Sequence, residues 1–469
     1  MKVTTLAKVA ASALLCRSLA QFQKLKGKSV YKGCGLLLIV CLLNIASAGG
    51  VNIVPTTTLA AETANNTSAS NQFPGSSNGN AAPGPVSKLP LRNLLYSGAN
   101  TKIYVHVQPW WGDPAHISIG YDSADPVQVH RQIEDMISRG IDGIIVDWYG
   151  VICTNVKQCN HENAATIALL HEAEQHSGFE VAISQDWGDL DKYPKSKRME
   201  DLISDLNYIH DNFESSPSYM RRNGKPVIAF FGIETKKINW STVRKQVQGS
   251  PIFVFMNSGG FSDPESGGSF AWTQPTRAGL DIGLSYLDNF YKVALSKSSE
   301  VAIGAAYKGF NDSLASWGQH LKVNQQCGQT WLASFAEAGN YYSPDNQLEN
   351  LQIVTWNDYE EGSEIETGID NCISVVPSLN GQVLTWTVTG GSENTLDHYV
   401  VFISSDGVNL MPLAEITPGN DVLDLSTYGF DPGQYTVFVE AVGQPSILNH
   451  ISAPVQVTFS TAVPPPASE

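Results

Sequence analysis

Lys102-Ile-Tyr-Val-His-Val-Gln108, Asp125-Pro-Val-Gln-Val-His-Arg-Gln-Ile-Glu-Asp-Met-Ile137 and Gly143-Ile-Ile-Val-Asp-Trp-Tyr149 read as strand, helix and strand in succession. In the first strand Tyr104, His106 and Gln108 share one face, while Val105 and Val107 share the other and face helices. The helix has Asp125 to cap it and Pro126 in its first turn. Val129, Ile133, Met136 and Ile137 recur at helical spacing before Gly140 ends it. Further apolar segments alternate with helical patterns at Glu180–Asp186, Pro226–Phe231, Ile252–Asn257, Ser269–Gln274, Val301–Tyr307 and Leu351–Asn357. Eight strands in such alternation predict an α/β fold, a (β/α)8 TIM barrel over residues 91–372, close to the ~250 residues typical of it.

From residue 373 the pattern changes to strands without helices, at Gln382–Val388, Tyr399–Ile403, Val422–Leu425, Tyr435–Val442 and Val455–Phe459. A small all-β sandwich is expected over 373–469, ending in a short Pro-rich tail. Asp431-Pro-Gly-Gln-Tyr435 and the strand after it resemble the turn and tyrosine-bearing strand of fibronectin type III and immunoglobulin-like modules. A structural role is expected for it.

The chain begins with a basic stretch, an apolar run at Gly35–Leu43 and Ala46-Ser-Ala48, the arrangement of a secretion signal over 1–48. The apolar run is shorter than the roughly 20 residues of a bilayer span, so cleavage is expected rather than an uncleaved anchor. Residues 49–90, rich in Ala, Asn, Ser, Thr, Gly and Pro, read as a disordered spacer. The leader holds seven of the 29 basic residues and no acid, leaving 22 basic against 45 acidic side chains, a net −23. That field disfavours nucleic acid and anionic polymers and leaves neutral polysaccharide as the natural partner. Cys153, Cys159, Cys327 and Cys372 follow the leader, and Cys153–Cys159 and Cys327–Cys372 are the expected disulfides of an exported chain. The protein is expected to be secreted or periplasmic, monomeric, and without stable membrane association.

In such barrels the strand C-termini carry the active site. Here they read Gln108-Pro-Trp110-Trp111, Asp147-Trp148-Tyr149, Gln185-Asp186-Trp187 and Trp356-Asn357-Asp358-Tyr359. An aromatic face beside a carboxylate or amide suits the apolar faces and hydroxylated rims of sugars, so these residues and His106 are the candidate substrate contacts. The final stretch continues into an acidic run with carboxylates at 358, 360, 361, 364 and 366. Glycoside hydrolysis needs one carboxylic acid for the leaving oxygen and a second carboxylate as base or nucleophile. Asp358 and Glu361 are the expected catalytic pair. If the chain turns helically there, their spacing brings the Cβ atoms to about 5–6 Å, with Glu360 pointing elsewhere. Glu364 and Glu366 are expected to be supporting or surface groups, with Glu366 placed to help orient Glu361, and Asn311-Asp312 stands where a sugar hydroxyl could be bound. No cofactor motif and no metal-binding spacing is present; calcium would find oxygen ligands only in the acidic run.

Gly143–Tyr149, with Asp125-Pro126 before it, resembles the second-strand region of glycoside hydrolase family 99. Trp356-Asn-Asp-Tyr-Glu-Glu-Gly-Ser-Glu-Ile-Glu366 resembles both a signature of that family and the Trp-Asn-Asp-Tyr-x-Glu signature of family 71. The resemblance implies an endo-acting hydrolase of α-linked glycans, α-mannan in family 99 and α-1,3-glucan in family 71. Glu361 matches the family 99 general acid/base. Asp358 matches the carboxylate taken there to deprotonate the sugar 2-hydroxyl, but Asp in place of Glu agrees with family 71. The alternative is a non-catalytic carbohydrate-binding protein on the same barrel.

Overall fold

The computed structural model describes residues 86–151, 156–233 and 236–460. The expected leader, most of the spacer, the tail after 460 and Cys153 of the first expected disulfide lie outside the described residues.

The strand–helix alternation closes into a barrel. Its strands are β1 (Lys102–Val107), β2 (Gly143–Trp148), β3 (Glu180–Asp186), β4 (Lys225–Phe231), β5 (Ile252–Met256), β6 (Gly268–Phe270), β7 (Val301–Ala306) and β8 (Asn350–Ile353). Each pairs in parallel with the next, and β8 returns to β1 with Val105 opposite Ile353. The strands are buried on both faces, because side chains fill the barrel on one side and helices cover the other. That is why they read as nearly continuous apolar runs.

The first helix, α1 (Pro126–Ser138), is capped as expected, the Asp125 carboxylate accepting the Val127 N–H at 3.0 Å. Val129, Ile133 and Met136 are buried, whereas Ile137 is largely exposed and does not belong to the packed face. Then come α2 (Val156–Ala173), α3 (Trp187–Asp191), α4 (Arg198–Asn212), α5 (Trp240–Gln246), α6 (Leu284–Leu295) and α7 (Gln329–Ala336). Among the described residues no helix is long and apolar enough to cross a membrane.

Two strands are shorter than expected. The sixth ends at Phe270, and Ala271–Gln274 runs on as irregular chain. The eighth ends at Ile353 because the backbone beyond it bonds to its own loop. Thr355 N–H donates to Ser363 O, Ile365 N–H to Thr355 O, and Ser363 N–H to Asp358 O. The acidic run is therefore a closed loop anchored on β1 through Trp356 N–H to His106 O at 2.8 Å. Asp358 and Glu361 sit in a turn rather than on a helical face.

After Cys372 two antiparallel sheets form a sandwich. One contains β9 (Ser374–Asn380), β10 (Val383–Thr389) and β13 (Val422–Asp424). The other contains β11 (Leu396–Ser404), β12 (Met411–Ile416), β14 (Gly433–Gly443), β15 (His450–Ile451) and β16 (Val455–Phe459). Its core packs Trp386 and Tyr399 with Val401, Ile403, Val437 and Val439. Tyr435 donates from its hydroxyl to Asp431 O at 3.3 Å, tying the turn to its strand.

The sandwich is fastened to the barrel at several points. Ile447, in the loop after β14, is buried in the barrel core beside Ile369, and Trp331 Nε1 donates to Pro445 O at 3.0 Å. The expected Cys327–Cys372 disulfide is present, with Cα atoms 5.4 Å apart and a sequence separation of 45. Closing a loop of that size restricts the unfolded chain, so a Cys327→Ser/Cys372→Ser variant is expected to lose about 2–3 kcal/mol in urea unfolding. An unchanged midpoint would mean that the other contacts hold the junction alone.

Candidate active site

A cavity of about 560 Å³ opens at the C-terminal ends of the strands. This is a size that holds a few sugar units. His106, Gln108 and Trp110 reach it from β1 and its following loop, Asp147 and Tyr149 from β2, and Asp186 from β3. Phe231 and Trp272 close it from β4 and the chain after β6. Trp317 comes from the loop after β7, and Asp358 and Glu361 from the loop after β8.

The local fold explains how the last two are held. Asp358 is buried, and both its oxygens are engaged: Oδ1 accepts the Glu361 N–H at 2.9 Å, and Oδ2 accepts Gln108 Nε2 at 3.0 Å. Its own N–H donates to Thr355 Oγ1 at 2.9 Å. Gln108 is fixed in turn by Asn357, whose amide bonds the Gln108 N–H at 2.8 Å and the Gln108 carbonyl at 3.0 Å. Glu361, partly exposed to the cavity, has its backbone carbonyl on Asn311 N–H at 2.6 Å and its carboxylate hydrogen-bonded by Trp317.

Burial dominates the electrostatics. It pushes Asp358 up to about 7. Burial and the charge of Asp358 hold Glu361 well above the usual carboxylate range. Burial also lifts Asp147 to about 8 and, with the charge of Asp147, raises Asp186 strongly. The His106 imidazole, edge-on to Trp272 with ring centroids 4.7 Å apart, is pushed down to about 3 by burial and stays neutral. These carboxyl groups cannot all ionise together in one aromatic-walled cavity. Ionising one makes ionising the next harder, and a protonated one can donate to a sugar hydroxyl.

Residues 119–368, more than half of the chain, match glycosyl hydrolase family 71. The chain belongs to that family. Among solved structures the fold is similar to two of the GH99 endo-alpha-mannosidase from Bacteroides thetaiotaomicron, each at 16% identity and a TM-score of 0.45. The first covers 60% of this chain and 89% of that one, the second 56% and 87%. A GH30 endoxylanase from Clostridium papyrosolvens is similar at 11% identity and a TM-score of 0.32, over 69% of this chain and 93% of that one. No curated protein matches the chain in sequence.

The family 71 hydrolase brings His106, Gln108, Trp110, Asp147, Tyr149, Asp186, Asp358 and Glu361 to one cavity, as read from sequence. Six other expected contacts lie outside its lining. Trp148, on the helix-facing side of β2, stacks on Tyr208 with centroids 6.0 Å apart. Trp356 is buried under the Arg139 guanidinium, 4.9 Å from its ring centroid. Trp187 carries the Arg198 guanidinium 4.7 Å and the Lys236 ammonium 4.5 Å from its ring centroid. Trp111 is fully buried against Tyr359. Asn357 clamps Gln108, and Tyr359 donates to Glu366 at 2.7 Å. These residues support the wall rather than form it.

The remaining acids diverge. Glu366 accepts from Tyr121, Tyr359 and Gln132 and so fixes loops instead of orienting Glu361. Glu364 pairs with Lys308 at 2.7 Å. Glu360 accepts His116 Nδ1 at 2.8 Å and the Ile117 N–H at 3.1 Å. Asp312 accepts the N–H groups of Gln319 and Leu321, each at 2.7 Å, closing the loop that presents Trp317. Asn311-Asp312 is thus a loop brace.

The cavity is also lined by residues outside the sequence-based candidates. His116 stacks on Trp110 at 4.7 Å between centroids and 6° between planes, extending the aromatic floor. Glu162 on α2 lines the cavity and is raised by burial. Lys192 is the one lysine in the lining among the described residues. Phe231 and Trp272, which also line the cavity, lay within segments already read as strands.

Proposed function

We propose that the protein is an exported hydrolase that cleaves internal α-glycosidic bonds of a neutral polysaccharide, with Glu361 as general acid and Asp358 as the partner carboxylate. The observation that carries this reading is the pairing of the two groups. They share one cavity and are joined through a 2.9 Å bond from the Glu361 backbone, and each holds its proton more tightly than an ordinary carboxylate. Membership of family 71 and Asp rather than Glu at 358 favour α-1,3-glucan, with α-mannan as the next substrate to try. Trp317, 47% exposed beside the cavity, supports binding within a chain by offering an aromatic face beyond the reacting sugar. The Cys327–Cys372 bridge and the basic-apolar leader support export to an oxidising compartment.

Catalysis needs the acid protonated and its partner ionised. Lowering the pH protonates both and removes the base; raising it ionises both and removes the acid. Because burial and mutual repulsion lift the pair together, the acid limb of kcat/KM is expected well above the value of about 4 for ordinary carboxylates, toward the value near 7 at Asp358. An acid limb at the ordinary carboxylate position would contradict this assignment.

Reducing-end release from α-1,3-glucan, α-mannan, α-1,4-glucan and β-glucans tests the substrate class. Release from one α-glycan, α-1,3-glucan first, is the expected result. Release from β-glucan alone would overturn the linkage, and binding without release would leave a carbohydrate-binding protein.

A further inference from the structure

On the outside of the barrel, remote from the cavity, α1 and α2 pack side by side and bring together two histidines and two glutamates. His130 and Glu134 are four residues apart on α1. Glu172 is four residues before His176, which stands just past the end of α2. Spacing of four puts each pair on one helical face. We propose that this cluster is a binding site for a zinc-class divalent transition metal ion, joining α1 to α2.

The geometry divides the four side chains into ligands and a support. Glu172 Oε1 lies 2.8 Å from His130 Nδ1 and 2.8 Å from His176 Nε2. One nitrogen of each ring is therefore oriented by the same carboxylate, which leaves His130 Nε2 and His176 Nδ1 as ligands. That is the relation a metal-bound histidine has to its outer carboxylate. Glu134 supplies the third ligand, its Oε1 3.6 Å from His176 Nδ1. Two ligands about 2.1 Å from a tetrahedral zinc ion lie about 3.4 Å apart, so that pair is already near its bound separation. One ligand atom from each of His130, Glu134 and His176 can be taken with all three within 4.8 Å of one another. His130 and Glu134 are more than half exposed, so small rotations bring them in, and solvent completes the coordination. Mixed imidazole and carboxylate ligands favour zinc over calcium, which takes oxygen alone. Two carboxylates also balance the charge of a divalent ion.

The inference is independent of the reading of the cavity, since none of these residues lines it. It has a bearing on that cavity nonetheless: α2 carries Gln158 and Glu162 into the lining, so a bridge to α1 would steady them.

Zinc chloride is titrated calorimetrically at neutral pH into the full chain, stripped with chelator and purified without a histidine tag. Calcium chloride serves as control. The expected result is one saturable zinc site per chain with micromolar affinity, absent in His130→Ala/His176→Ala and weakened at least about tenfold in Glu172→Gln. Zinc should also raise the thermal midpoint of the parent and not of the double variant. Circular dichroism of the variants without metal confirms that they fold. No saturable uptake, or uptake that survives the double substitution unchanged, would overturn the proposal and leave a group of surface ion pairs.

Discussion

Replacing Glu361 by Gln is expected to lower kcat by about 10³-fold while changing the affinity for an unreacted oligosaccharide by less than about threefold, since a positioned general acid contributes roughly 10²–10⁴. The amide keeps the size of the side chain and can still accept from Trp317, whose hydrogen bond reaches the carboxylate. The backbone link to Asp358 Oδ1 does not involve the side chain and persists. What disappears is the proton that a strongly raised carboxyl group facing the cavity carries to the leaving oxygen. Loss should be smaller for substrates with an acidic leaving group, which need less protonation. Steady-state kinetics beside calorimetric binding separates the two effects. A variant that loses affinity and turnover together would argue that Glu361 holds the sugar rather than protonates it.

The second large effect concerns folding. Arg139→Ala is expected to cost about 3–5 kcal/mol in urea unfolding, the range for removing one partner of a buried ionic network. Arg139 is 1% exposed at the end of α1. Its guanidinium donates to Ile365 O and Glu366 O, both at 2.8 Å, and twice to Asp135, at 2.6 and 3.1 Å. It also covers the Trp356 ring. Burial lowers it to about 10, still cationic at neutral pH. Alanine leaves the Glu366 carbonyl without this donor and the Ile365 carbonyl with the Gly368 N–H at 3.0 Å, and opens space beside an indole. Because those carbonyls belong to the loop that carries Asp358 and Glu361, activity should fall in the variant even where it remains folded. A loss below about 1 kcal/mol would contradict the network's role.

The barrel was legible because its signal is local. Alternation along Lys102–Gln108 and the cap at Asp125 need only near neighbours to be interpreted, and all eight strand positions followed from apolar runs bounded by polar turns, the sixth over Ser269–Phe270 alone. The proposed Asp358/Glu361 pair stands out in the sequence because glycoside hydrolysis demands two carboxylates and the run after β8 supplies them within four residues.

What escaped was set by contacts distant in sequence. Trp148 and Asp147 are adjacent, yet strand alternation sends the indole to the helices and the carboxylate to the cavity. His116 becomes a wall only because Glu360, 244 residues later, fixes its ring. The end of β8 at Ile353 depends on backbone bonds that the loop makes with itself, from Thr355 to Ser363 and Ile365. No periodicity encodes those. The cluster of His130, Glu134, Glu172 and His176 was likewise invisible until two helices were packed together, since each half alone is an ordinary His/Glu spacing of four.

The most direct test of the hydrolase reading follows an α-1,3-linked gluco-oligosaccharide by proton magnetic resonance during incubation with the parent protein. New reducing-end anomeric signals at internal positions, growing with enzyme concentration, are the expected result. An oligosaccharide whose signals broaden or shift on binding, yet which stays intact over hours while other α-glycans do the same, would contradict catalysis by the Asp358/Glu361 pair.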